Sequence, residues 1–244
     1  MKRVMHLIDS AGVYGAERVI LNLSAEMLQA ARYQPVIGCI VHRPEDPCDL
    51  VDVATGQGLE VAKIVVDNGR LPVDLPRAAR LIRSMGIDLV HSHGYKPVVF
   101  AYAFRLIAGI PTFSTSHLWS TPSEYPLKMK IMVWISERLY ARFPFAVGVS
   151  EPVGEALARS GVAVERIRVI PNGVDIHEAA VDGREIADLK RELGVSADEF
   201  CVLNAGRLTR QKSQWVIVEA AAILKNSGIP CRFFIVGEGE LVED

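Results

Sequence analysis

The chain has 244 residues, half of them apolar, and a formal charge of −2. That near-neutral balance excludes a general nucleic-acid binder, which needs dense Lys/Arg patches, so any anion must be held locally. No uninterrupted apolar segment reaches the length of a membrane span.

Met1-Lys-Arg opens directly into a strand pattern and not into the apolar stretch of a signal peptide, so a cytoplasmic protein is expected. The four cysteines, Cys39, Cys48, Cys201 and Cys231, form no C-x-x-C pair and no zinc spacing. Cys39, Cys201 and Cys231 lie in or beside apolar strand-like runs, which predicts buried, reduced thiols and a reducing compartment.

Short apolar runs alternate with helical patterns along the chain, which predicts an α/β fold built from parallel βαβ units. Residues 4–8 are the first strand. Residues 16–30 are the first helix, with Val19, Ile20, Leu23 and Met27 along one face. Strands follow at 36–41 and 61–66. Asp74 and Pro76 mark the opening of a helix that closes at Gly86. A strand at 87–93 leads to a helix at 97–108, and a fifth strand covers 112–115. A long helix then carries Lys128, Lys130, Arg138 and Arg142 among bulky apolar residues, with Ile131, Trp134, Ile135 and Leu139 expected as an inward stripe. The competing expectation for that helix is peripheral contact with an anionic membrane surface. A sixth strand at 146–149 precedes Ser150, a candidate N-cap, and Pro152 in the first helical turn. A short strand at 168–170 ends at Pro171-Asn172-Gly173.

The polar stretch 175–198 has the composition of a connection and holds one helix-like piece, 184–193. The rhythm then restarts with a strand at 201–203, a helix at 214–224 and a strand at 232–236. Two domains are expected: a first Rossmann-like one over 1–174 and the opening of a second over 199–244.

Two clusters and one further residue carry chemistry. In Asn204-Ala-Gly206-Arg207-Leu-Thr-Arg-Gln-Lys212-Ser213, a glycine and fixed positive charges lie between a strand and a helix start. Backbone N–H groups and the helix dipole favour an anion at such a junction. Arg207 adds a planar fork suited to phosphate oxygens and Lys212 a point charge. His91 and His93, two apart on one strand, share a face. With His117 at another strand end they could converge on zinc or, the preferred reading, line a cleft as hydrogen-bonded imidazoles. Glu17 suits the N-terminal turn of the first helix. The nicotinamide fingerprint G-x-G-x-x-G and the Walker loop are both missing, which argues against a dehydrogenase and a P-loop nucleotidase.

Taken in order, several segments resemble glycosyltransferase family 4. They are Tyr14-Gly15-Ala16-Glu17-Arg18-Val19, Asp88-Leu-Val-His91-Ser-His93-Gly94, Ser114-Thr-Ser-His117, Val149-Ser150-Glu151, Ile170-Pro-Asn172-Gly-Val-Asp175, Gly206-Arg207-Leu208 with Lys212, and Val236-Gly237-Glu238-Gly239. The resemblance implies a GT-B fold, two Rossmann-like domains facing a cleft, and a retaining transferase that uses a nucleotide sugar without a metal or other cofactor. It further implies that Arg207 and Lys212 neutralise the donor diphosphate, with Gly206 and Gly237 beside it, and that His117 lies next to the sugar. Gly15, Glu17, His93 and Asn172 fall at the acceptor or phosphate loops. The implied partners are a nucleotide-sugar donor and a glycan or lipid-linked acceptor, with no nucleic acid, and the implied role is polysaccharide or cell-envelope assembly.

Two positions depart from the family pattern: Tyr14 replaces a glycine before Gly15, and Ser213 replaces the glycine after the lysine. The family's paired glutamates are not found in these residues. The alternative expectation is a catalytically incomplete fragment, or half of a split enzyme, that only binds. An epimerase-type relative is a third possibility.

Overall fold

The computed structural model describes residues 1–10, 12–117, 126–174, 182–196 and 199–242. It divides into two compact units, Met1–Asp175 and Ile176–Asp244. Parts of the connection expected over 175–198, namely 175–181 and 197–198, lie outside the described residues, as does Asp175 of the Ile170–Asp175 motif.

In the first unit, strands β1 (Lys2–Ile8), β2 (Tyr33–Val41), β3 (Glu60–Val65), β4 (Leu89–His93), β5 (Thr112–Ser116), β6 (Ala146–Gly148) and β7 (Ile167–Val169) form one sheet. Its order is β3-β2-β1-β4-β5-β6-β7, and every pairing is parallel. Parallel strands need crossovers, and the helices that supply them cover both faces. These are α1 (Gly15–Gln29), α2 (Asp49–Gly56), α3 (Leu71–Ser84), α4 (Tyr95–Ala108), α5 (Leu127–Tyr140) and α6 (Glu151–Arg159).

Strand alternation sends successive side chains to opposite faces and so makes two cores. Met5, Leu7, Val36, Ile64 and Val90 pack with Ala79, Ile82, Phe100 and Phe104 of α3 and α4. Ile8, Ile37 and Cys39 pack with Ile20, Leu21 and Leu50 of α1 and α2. A third cluster joins Val98, Tyr140, Phe143, Ala146 and Leu157.

The second unit contains α7 (Gly183–Glu192), α8 (Trp215–Asn226) and the parallel pair β8 (Phe200–Ala205) and β9 (Cys231–Val236). Gln214 is the only described residue of this unit that is buried.

Several expectations are corrected. Helix α2 was not anticipated; at eight residues it is too short to establish a clear helical period. Helix α3 starts at Leu71 with Pro72 in its first turn, a turn earlier than Asp74 suggested. Asp74 is buried, and its carboxylate accepts from the Asp67 N–H at 3.1 Å, so it anchors the preceding loop instead of opening the helix. Ser150 is the N-cap residue of α6 but makes no side-chain capping bond.

Cys39 is buried but not a free thiol, because it pairs with Cys48 as a disulfide. The loop between them turns back where Asp46 accepts the N–H groups of His42 and Arg43, and no spacing rule detects that closure. Cys201 is exposed and Cys231 only partly buried, since few elements cover the two-stranded sheet.

In α5, Ile131 and Trp134 are 49% and 53% exposed, while Ser136 and Tyr140 face the core. The inward stripe is therefore rotated from the expected one: Ile135 and Leu139 are partly buried, whereas Ile131 and Trp134 face outward.

Candidate active site

In an open parallel sheet, ligands collect beyond the carboxyl ends of the strands, where the strand order reverses. Here the reversal falls between β1 and β4. A pocket of about 200 Å³ opens there, lined by Asp9, His93, Ser116 and His117 from the strand ends, Glu17 from α1, and Glu137 and Tyr140 from α5.

The strand register assembles the histidines. His6 pairs with His91 across β1 and β4, and His93 follows two residues later on the same face. His117 Nε2 lies 2.9 Å from His93 Nδ1, and His93 Nε2 lies 3.2 Å from His6 Nδ1. His91 stands beside this row: its Nε2 is 2.7 Å from Thr115 Oγ1, and its ring stacks on Phe113. Burial disfavours the imidazolium and pushes His6 and His117 down to about 4. Burial first, then repulsion from neighbouring histidines, holds His91 and His93 well below the ordinary value. The imidazoles are therefore neutral at physiological pH. Nitrogens of His6, His91 and His93 all come within 4.8 Å of one another. The trio expected from sequence contained His117 in place of His6.

The rest of the pocket sets a few polar side chains among apolar ones, Ile8, Ala16 and Val133. Glu17 is buried and accepts the Tyr14 N–H at 3.1 Å, so it closes the first turn of α1 and also lines the pocket. Gly15 opens α1 but is not part of the lining. A Cβ there would meet nothing within 4 Å, so the protein's own packing does not demand a glycine. Lys96 pairs with Asp9 at 2.9 Å. Burial raises the Glu137 carboxyl, partly opposed by Arg138. Burial also drives the Tyr140 phenol up to about 12, against the pull of hydrogen bonds with Ser114 and Ser116. Asp9, Glu17, Glu137 and Tyr140 together give acceptors for the hydroxyls of a sugar-like ligand. Asn172 lies in the exposed stretch 171–174 and does not line the pocket.

The second unit, taken by itself, brings the other expected residues to one strand end. The Gly206 N–H donates to Val236 O at 2.9 Å, and the Leu208 N–H donates to Glu238 O at 2.9 Å. A Cβ on Gly237 would overlap the Gly206 carbonyl, and one on Gly239 would overlap that of Leu208. Close backbone approach thus requires these two glycines, whereas Gly206 itself faces open space. Arg207 and Lys212 are exposed on this loop. A 3₁₀ turn, Arg210–Lys212, separates the loop from α8, and Ser213 after it is left-handed at φ 51°. Gln214 is buried and donates from Nε2 to Arg207 O at 2.9 Å, tying the loop to the helix start.

The structure therefore places His93, His117 and Glu17 in one pocket of the first unit. It places Gly206, Arg207, Lys212 and Gly237 in one loop cluster of the second. Sequence reasoning missed His6, Asp9, Glu137, Tyr140 and Gln214. His6 was legible as a histidine in a buried strand, since buried polar groups need partners. The α5 residues depended on the helix's rotation, and Gln214 looked like an ordinary surface residue at a helix start.

Comparison with known proteins gives a consistent picture. The profile of Glycosyltransferase Family 4 matches residues 13–178. The EpsF protein of Bacillus subtilis (strain 168) is 26% identical over 247 aligned positions, covering 98% of this chain and 63% of EpsF. UDP-Gal:alpha-D-GlcNAc-diphosphoundecaprenol alpha-1,3-galactosyltransferase of Escherichia coli is 30% identical over 171 residues, covering 68% of this chain and 44% of that enzyme. This chain thus spans less than two thirds of these relatives. Among solved structures, Anabaena HepE in complex with UDP and glucose superposes with a TM-score of 0.80 at 20% identity, over all of this chain and 63% of HepE. The α/β GT-B fold expected from the resemblance is the one shared with such structures. With two thirds of its length matched by the family profile, the chain belongs to glycosyltransferase family 4.

Proposed function

We propose that this chain takes part in moving a sugar from a nucleotide-sugar donor to a hydroxyl acceptor, with retention and without a metal. In this reading the switch-point pocket of the first unit receives the acceptor and the reacting sugar. The Gly206–Lys212 loop compensates the leaving diphosphate. The observation that carries the reading is the pocket at the β1/β4 reversal, with the neutral His117 in its wall and carboxylates that suit sugar hydroxyls.

Without a metal, charge on the leaving group must be met by Arg207 and Lys212, aided by backbone N–H groups near α8. The relatives support the substrate class. HepE is a UDP- and glucose-bound protein, and the Escherichia coli relative is named for a UDP-galactose donor and a lipid-diphosphate acceptor. A glycan or polyprenyl-diphosphate-linked acceptor and a role in envelope or polysaccharide assembly follow as the proposed setting.

Calorimetric titration of the chain with UDP and GDP tests the donor half. Each charge-assisted contact contributes about 1.5–3 kcal/mol, so Arg207→Ala or Lys212→Ala should weaken nucleotide binding by about tenfold or more. Unchanged affinity in both variants refutes the assignment. Incubation with nucleotide sugars and a panel of hydroxyl acceptors then tests transfer.

A second reading, a binding unit without turnover, is favoured by one observation. The β8–β9 sheet leaves Phe200, Leu203 and Val236 more than half exposed. Acceptor binding with neither transfer nor hydrolysis would select it.

A further inference from the structure

The pocket histidine is the end of a chain of hydrogen bonds that runs through buried β4 and β1 to Met27 on α1. His117 Nε2 faces His93 Nδ1 at 2.9 Å, His93 Nε2 faces His6 Nδ1 at 3.2 Å, and His6 Nε2 faces Met27 Sδ at 3.4 Å. A neutral imidazole has one N–H and one lone pair, so every ring in such a row must donate in the same direction. The far end decides which direction. A thioether carries no proton and can only accept. His6 therefore holds its proton on Nε2 and accepts on Nδ1. His93 in turn donates from Nε2 and accepts on Nδ1, and His117 donates from Nε2.

We propose that Met27, His6 and His93 are positioning residues that hold His117 as its Nε2–H tautomer, leaving the Nδ1 lone pair to accept a hydrogen bond from a substrate hydroxyl. The substrate part rests on the reading of this pocket as a sugar site; the tautomer itself does not. Three observations support the fixed direction. Burial keeps the rings neutral, so no doubly protonated imidazolium interrupts the row. His91 does not compete, because its Nε2 is engaged with Thr115. Among the described residues, His117 Nδ1 has no hydrogen-bond partner. The consequence is selectivity: a hydroxyl can donate to Nδ1, whereas an acceptor-only group such as a phosphate oxygen meets a lone pair. The reversed tautomer would invert that preference.

The test is nitrogen-15 NMR of histidine-labelled chain at pH 7.5, which distinguishes protonated from unprotonated ring nitrogens. His117 should show the Nε2–H form in roughly tenfold excess, which corresponds to about 1.4 kcal/mol. Met27→Leu keeps the volume but removes the terminal acceptor, so the excess should fall severalfold without loss of fold. An Nδ1–H tautomer in the native chain overturns the proposal. So does a tautomer ratio that is identical in native and Met27→Leu chains, or a stoichiometric metal ion bound by His6, His91 and His93. If the Nε2–H tautomer is found but no sugar or nucleotide sugar binds, the positioning inference stands and the sugar-site reading falls.

Discussion

His6 and His117 fall from an ordinary 6.5 to about 4 on folding because burial penalises their charged form. Between those values the unfolded chain binds protons that the folded chain refuses. Stability from these groups is therefore fully present above pH 6.5 and is lost as pH falls toward 4. Each contributes on the order of 3 kcal/mol by pH 4, and His91 and His93 act in the same direction. Urea midpoints measured from pH 7.5 to pH 4.5 should decline steadily; a flat profile would contradict the buried, neutral cluster. Ser213 makes a second residue-level case. Its left-handed backbone, φ 51° and ψ 43°, is a conformation that favours glycine. Ser213→Gly should relieve about 1 kcal/mol of local strain, read as slower hydrogen exchange of the neighbouring Val216 amide, which donates to Ser213 O.

At the scale of elements, α5 separates what packs from what faces outward. Leu127, Ile131 and Trp134 are exposed beside Lys128 and Lys130, and the Arg138 guanidinium lies 3.6 Å over the Trp134 ring. Replacing Ile131 and Trp134 with serine should change stability by no more than about 0.5 kcal/mol, as at other surface sites. Leu157→Ala, in the buried cluster with Tyr140, should cost about 2–5 kcal/mol. Chemical denaturation of the variants checks both. The same outward face is where peripheral membrane contact would occur. Sedimentation with anionic vesicles decides it: binding lost in the serine variants supports contact, and no binding by the native chain ends it.

At the scale of the molecule, the two units differ in how much they bury. Among the described residues, the first has three apolar clusters under helices on both sheet faces, whereas the second has two strands, two α-helices and mostly exposed apolar residues. Local stability follows buried contacts. Amides of β1 and β4 should therefore exchange more slowly than those of β8 and β9 by at least tenfold, measured by native-state hydrogen exchange. Equal protection would mean that the second unit is stabilised in a way its own packing does not explain. No helix among the described residues is long and apolar enough to cross a membrane.

Periodicity alone determined the order and type of nearly every strand and helix, because short apolar runs and 3.6-residue patterns are local properties that each segment carries by itself. The motif order likewise identified the family, and the loop from Gly206 to Lys212 was legible as a strand-to-helix junction. Tertiary structure decided the rest. The union of His6 with His93 and His117 depends on pairing β1 with β4, whose residues are more than eighty positions apart in sequence. The closure of Cys39 with Cys48 depends on how one loop turns, and the pocket roles of Glu137 and Tyr140 depend on how α5 is rotated. The close approach of the Gly206 backbone to Gly237 depends on how the loops after β8 and β9 meet. Each of these depends on the distance between segments remote in sequence, and only packing sets that distance.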